Sequence, residues 1–249
     1  AFTAGQILTA AQQTQINTGI PVFATTTTRD AAFGGAGEKT LAEGQFAYIE
    51  ATNTTQYYDG VNWVAVGTTP GLVPITATSL AVGGGTATSA GNGQVTATSV
   101  TTSLSLNGVF SASYTNYRIM YNFITASGSN VSWRLRVGGS DNSTANYDTM
   151  LANFQNGSTQ SVLISAATFG YLYAGGGGLQ HTGAIDIYRP FETSTTSTFT
   201  IGAEQASLTA VNRPFYYQSL QAQSLSFDGF TFLTTAAATG TVSVYGYNI

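Results

Sequence analysis

Residues 131–137 read Val131-Ser132-Trp133-Arg134-Leu135-Arg136-Val137. Apolar and polar side chains alternate without a break. In an extended chain successive side chains point to opposite faces, so a period of two predicts a β-strand with one buried face. That face carries Trp133 and Leu135; the opposite face is expected to expose Arg134 and Arg136.

Working outward, the same signal recurs. Leu104 and Leu106 precede the turn pair Asn107-Gly108, and Arg118–Thr125 is a long aromatic run. Further strands are predicted over Tyr147–Phe154, Ser161–Tyr173, Ala184–Tyr188, Thr198–Ala203, Phe215–Leu220, Leu225–Leu233 and Thr241–Tyr247. Many short strands separated by turn residues suit two packed antiparallel sheets. No strand alternates with a helical pattern, which argues against a parallel α/β sheet. The expected fold is all-β: an N-terminal short helix and β-hairpin module, then an antiparallel, jelly-roll-like sandwich over 104–249.

Residues 68–103 change character. They hold Pro70, Pro74, Gly83–Gly85, Gly91 and Gly93, with no charge. Two readings stand: a flexible Gly/Thr/Ser-rich linker, or an extended, intertwined shaft that pairs only with copies of itself. Residues 1–67 form the first domain. Thr9 and Gln12 fit a capping box for a helix over Ala10–Asn17, stopped by Gly19 and Pro21. Residues 44–67 read as a β-meander in which Asp59-Gly60 predicts a two-residue hairpin turn.

Composition narrows the chemistry. Of 249 residues only 7% are charged, against about 25% in an ordinary soluble domain. There is one lysine (Lys39), one histidine (His181) and no cysteine, beside 14 Tyr and 14 Phe. Such a surface binds through hydroxyls, amides and rings, and is poorly equipped for acid–base catalysis, which needs titratable groups. A net charge of -4 with six scattered arginines argues against nucleic acid. No apolar run reaches the ~20 residues of a membrane span, so no membrane insertion is expected. No signal-peptide pattern is visible at Ala1–Ala10.

The candidate catalytic constellations are weak. His181 and Asp186 are five apart, which places them on opposite faces of a strand. Asp186 and Glu204 are expected within strands, but nothing selects them as an acid–base pair. Oxygens of Asp141, Asn142 and Asp148 resemble a loose calcium loop without its dense carboxylates. No catalytic residue, cofactor or metal is expected.

The opening Phe2-Thr3-Ala4-Gly5-Gln6-Ile7-Leu8-Thr9-Ala10-Ala11 resembles the start of bacteriophage minor tail and tail-fibre-like proteins. So do Thr28-Arg29-Asp30-Ala31, Glu43-Gly44-Gln45-Phe46-Ala47-Tyr48 and Gln56-Tyr57-Tyr58-Asp59-Gly60-Val61-Asn62-Trp63. The ending Gly240-Thr241-Val242-Ser243-Val244-Tyr245-Gly246-Tyr247 is similar to the ends of phage virion β-domains. The resemblance covers residues 1–67 and, more loosely, the sandwich. It implies a virion-borne homotrimer whose N-terminal end docks on other phage virion proteins and whose distal domain faces the host. A capsid-attached head fibre or decoration protein is the alternative, and a polysaccharide-degrading enzyme a remoter one.

On this reading Phe2, Ile7, Leu8 and Ile16 supply apolar virion-docking contacts. Host-surface binding, to a glycan or protein, is assigned to loops at Ser140–Tyr147, Ala174–His181 and Asn212–Tyr217, with Asn142, Tyr147, His181, Asn212, Tyr216 and Tyr217 as contact residues. Loops on a rigid scaffold are where recognition concentrates.

Overall fold

In the computed structural model the chain divides into two compact units, residues 1–69 and 70–249. The structure describes residues 7, 19–33, 40–67, 71–155, 158–172, 178–205 and 212–248. The helix predicted over Ala10–Asn17 lies outside the described residues.

The first unit holds β1 (Val22–Phe23), α1 (Thr26–Ala31), β2 (Phe46–Ile49), β3 (Thr54–Tyr58) and β4 (Trp63–Ala65). These strands form one sheet in the order β1-β2-β3-β4, with β1 parallel to β2. Helix α1 starts at a capping box: Thr25 Oγ1 accepts from the N–H of Thr28, whose hydroxyl bonds back to Thr25. Its threonines are weak helix formers, so the cap and tertiary contacts hold it. Arg29, on this helix, is only 6% exposed; its guanidinium stands 4.6 Å from the Trp63 ring centroid and also bonds Gln56.

The turn after β3 differs from the expected two-residue hairpin. It spans four residues, 59–62, because Asp59 Oδ1 accepts from the N–H groups of Val61 (2.9 Å) and Asn62 (2.6 Å). A side chain that caps the loop amides makes the longer turn favourable. The same bonds hold the Asp59 carboxyl below its ordinary range.

The second unit is an antiparallel β-sandwich. Its strands are β5 (Gly71–Pro74), β6 (Ser79–Gly83), β7 (Thr86–Ser89), β8 (Gln94–Val100), β9 (Ser103–Asn107), β10 (Asn116–Ser129), β11 (Val131–Val137) and β12 (Ser140–Asp141). There follow β13 (Tyr147–Gln155), β14 (Ser158–Ala167), β15 (Gly170–Tyr171), β16 (Gly178–Tyr188), β17 (Ser194–Gln205), β18 (Asn212–Leu225), β19 (Gly229–Thr234) and β20 (Ala238–Asn248). The large sheet has ten strands in the order β14-β13-β18-β17-β16-β10-β20-β8-β7, with β5 also on β20. The small sheet has six, β12-β11-β19-β9-β6, with β15 on β11.

Residues 71–100 are therefore neither linker nor shaft. They supply β5–β8, and the chain passes between the two sheets as it goes: β6 pairs β9, whereas β7 and β8 join β20 in the large sheet. The glycines sit at the turns, with Gly84, Gly91 and Gly93 at positive φ, and the β-branched Thr and Val residues between them form the strands.

The core lies between the sheets. Trp133 and Leu135 are fully buried; Trp133 stacks on Phe230 at 5.6 Å and meets Tyr147 edge-on at 5.5 Å. The strand expected at 131–137 is thus confirmed, with one correction on its outer face. Neither arginine is exposed: Arg134 is half-buried, and Arg136 is 6% accessible. Its guanidinium bonds Ser105 (2.9 Å), Thr231 (2.8 Å), Asn107 (2.8 Å), Asp141 and the Gly139 carbonyl. A buried guanidinium is tolerated because its donors are paired.

Candidate functional site

A groove of about 410 Å3 opens on the outer face of the small sheet. Its lining comes from four places in the sequence, the first being Thr102 between β8 and β9. Strand β11 and its approach give Asn130, Ser132 and Arg134; the β14–β15 connection gives Phe169 and Tyr171; the end of β19 gives Leu233, Thr234 and Thr235.

Local bonds hold these pieces together. Trp133 pairs with Gly170 and Ser132 with Tyr171, so Tyr171 and Ser132 stand side by side on the outward face. Arg134 Nε donates to the Thr168 carbonyl at 2.9 Å, tying this connection to β11. On the other flank, Ser129 Oγ lies 3.0 Å from Thr234 Oγ1 and 3.1 Å from Thr235 Oγ1. The Asn130 N–H donates to Thr235 Oγ1 at 3.2 Å.

The chemistry of the groove is aromatic and mostly uncharged. Phe169 and Tyr171 have ring centroids 4.8 Å apart, tilted by 56°. Around them stand an amide (Asn130) and the hydroxyls of Ser132, Tyr171, Thr234 and Thr235. The one charge, Arg134, lies 3.8 Å from the carboxylate of Asp141. Rings offer apolar faces, and the neighbouring amide and hydroxyls can donate and accept hydrogen bonds; together these suit a sugar.

The loop residues assigned from sequence fall elsewhere. Tyr147, His181 and Tyr217 are at most 1% exposed, on the inner face of the large sheet, and so present no surface for a host molecule. The Tyr147 hydroxyl instead accepts from the Leu135 N–H (3.1 Å) and donates to the Asn142 carbonyl (2.9 Å), bracing the sandwich. Asn142 is spent locally: its amide donates to Gln223 Oε1 at 2.6 Å and its carbonyl accepts from Thr144. Tyr216 is 41% exposed, but on the outer face of β18 rather than in a loop. Asn212 begins β18, and its side chain lies outside the described residues. Of the docking set, Phe2, Leu8 and Ile16 lie outside the described residues, and Ile7 is 90% exposed.

The titratable groups fall as follows. His181 is buried opposite Phe123, whereas Asp186 faces outward opposite Arg118, so the two are on opposite faces as their spacing predicts. Asp186 and Glu204 are likewise on opposite faces. Arg118 grips Asp186 through two bonds of 2.7 and 2.6 Å, and Tyr247 donates to the same carboxylate at 2.5 Å. Burial pushes the Asp186 carboxyl up, but these bonds outweigh it and hold it below the usual range. Burial and the carboxylate push the Tyr247 hydroxyl up to about 12. Asp141 Oδ1 accepts from both Arg136 and Thr231 while its Oδ2 faces Arg134, and Asp148 accepts from the Ala166 N–H at 2.8 Å.

No family model matches the chain, and no curated protein matches it. Among solved structures it is similar to the carbohydrate recognition domain of Emp47p, at 9% identity and a TM-score of 0.25. That match covers 71% of this chain and 95% of the other. A likeness so slight transfers no function.

Proposed function

We propose that the chain is a structural component of a bacteriophage virion, a fibre or minor tail protein, whose second unit contacts a neutral glycan of the host surface. The observation that supports the glycan reading is the groove, where the Phe169–Tyr171 pair stands beside the uncharged hydrogen-bonding groups of Asn130 and Ser132. The virion reading rests on the resemblance of residues 1–67.

Two experiments test it. Immunogold labelling of virions with antibody to this chain should decorate the tail; decoration of the capsid would favour a head fibre, and unlabelled particles would remove the virion reading. Purified chain should bind host envelope polysaccharide, and Phe169→Ala and Asn130→Ala should weaken that binding. Equal binding by wild type and both variants would clear the groove of the role.

A further inference from the structure

The outer face of the ten-stranded sheet is built against the usual polarity of a sandwich. On β17 the inner positions are Thr196, Thr198 and Thr200, each at most 1% exposed. The apolar residues between them, Phe199 and Ile201, point outward and are 42% and 43% exposed. An isolated sandwich places its apolar alternation inward.

Register extends this strand into a patch. Ile201 lies opposite Tyr216, and Phe199 opposite Gln218; Gln218 in turn faces Met150, and Met150 faces Leu163. In the other direction Ile201 faces Ala184, and Ala184 faces Met120. Leu163, Met150, Tyr216, Ile201, Phe199 and Met120 are each between 41% and 64% exposed. Relief accompanies the patch. Large side chains stand over β14, β13, β18 and β17, while a trench of about 540 Å3 lies over β16, β10 and β20, where Thr182, Ala184, Thr241 and Ser243 are short.

We propose that this face is an interface between copies of the chain, the ridge of Phe199, Ile201 and Tyr216 on one copy seating in the Ala184–Met120 trench of the next. Three arguments select a second copy as the occupant. Ridge and trench lie side by side on one surface, so the surface is complementary to itself; such contacts close into rings or dimers when the rotation allows. The area fits: at ~200 Å2 per large side chain the six residues expose on the order of 600 Å2, and with the polar residues between them approach the ~800 Å2 per partner of a stable interface. The charge also fits. Arg118 and Asp186 close on each other, and the ridge and trench side chains named above are uncharged, so two copies meet there with little repulsion.

The test uses the full chain and sedimentation equilibrium at micromolar concentration. Wild type should be a defined oligomer. Ile201→Glu places a charge on the ridge, and Ala184→Trp fills the trench; each should weaken association roughly 100-fold, since an unpaired charge or a clash is forced into the contact. Circular dichroism should show both variants folded. Val137→Glu, on the small sheet, should leave the oligomer intact. Three results would overturn the proposal: a wild type that stays monomeric at high micromolar concentration, an oligomer that survives both variants, or a monomer that sediments with phosphatidylcholine vesicles and so gives the face to lipid.

Discussion

Gly170 lies directly against the indole of Trp133: a Cβ built on the glycine would come within 2.1 Å of the Trp133 Cε2. The two are cross-strand partners between β15 and β11, so neither backbone can retreat without breaking the pairing that also places Tyr171 beside Ser132.

Gly170→Ala is therefore expected to destabilise the second unit by about 1–3 kcal/mol through overpacking. Trp133→Ala, which empties the centre of the core, should cost about 3–5 kcal/mol. Urea denaturation followed by circular dichroism measures both. A Gly170→Ala variant as stable as wild type would show that the indole can shift.

Acid should weaken the Arg118–Asp186–Tyr247 cluster. The Asp186 carboxyl is held below its unfolded value, so the unfolded chain takes up its proton more readily. The stabilisation is fully present above the unfolded value of about 3.9 and is lost as pH falls through the folded one. Asp186→Asn should cost about 2 kcal/mol at neutral pH and flatten the acid limb of a plot of melting temperature against pH. Parallel acid limbs in the two proteins would contradict this.

In the first unit, Arg29→Ala removes both the stacking on Trp63 and the bond to Gln56. The expected loss is about 1–2 kcal/mol, confined to that unit. Amide hydrogen exchange on the full chain should accelerate over residues 46–65 and stay unchanged over 116–137. Uniform acceleration would mean that the two units unfold together.

Glycan binding in the groove should hardly depend on salt, because a neutral sugar held by Phe169, Tyr171, Asn130 and Ser132 forms no ion pair. Titration at low and high ionic strength measures this. A steep fall with salt would point to a charged ligand held by arginine instead.

How much of this was legible depended on the contrast between neighbouring side chains. At 131–137 apolar and charged residues alternate, and the strand and its buried face follow at once. On β17 the alternation is between threonine and Phe199 or Ile201; the strand is legible, but polarity alone points the wrong side inward. Over 71–100, Thr, Ala and Gly differ too little in hydrophobicity to show a buried face, so four strands read as linker or shaft. Helix α1 was hidden for a related reason, since a run of threonines favours extended backbone until Thr25 and Thr28 close their cap. The groove was out of reach because it joins residues near 102, 130, 170 and 234, which only long-range pairing brings together. Its one local signal is Phe169-Gly170-Tyr171, two rings on either side of a residue without a side chain.

Strand β20 sits in the middle of the large sheet, with β10 on one flank and both β8 and β5 on the other. The bond from the Ser99 N–H to Thr239 Oγ1 spans 140 residues. During synthesis, β5 and β8 therefore leave the ribosome long before the strand that receives them. They must wait, with edges open to wrong partners, until residues 238–248 emerge. Non-local pairing of this kind is slow to form and exposed to aggregation while it waits. Completion of the sandwich is accordingly expected as a single late event rather than strand by strand, and a ribosome stalled before Ala238 should hold a nascent chain that proteases still cut.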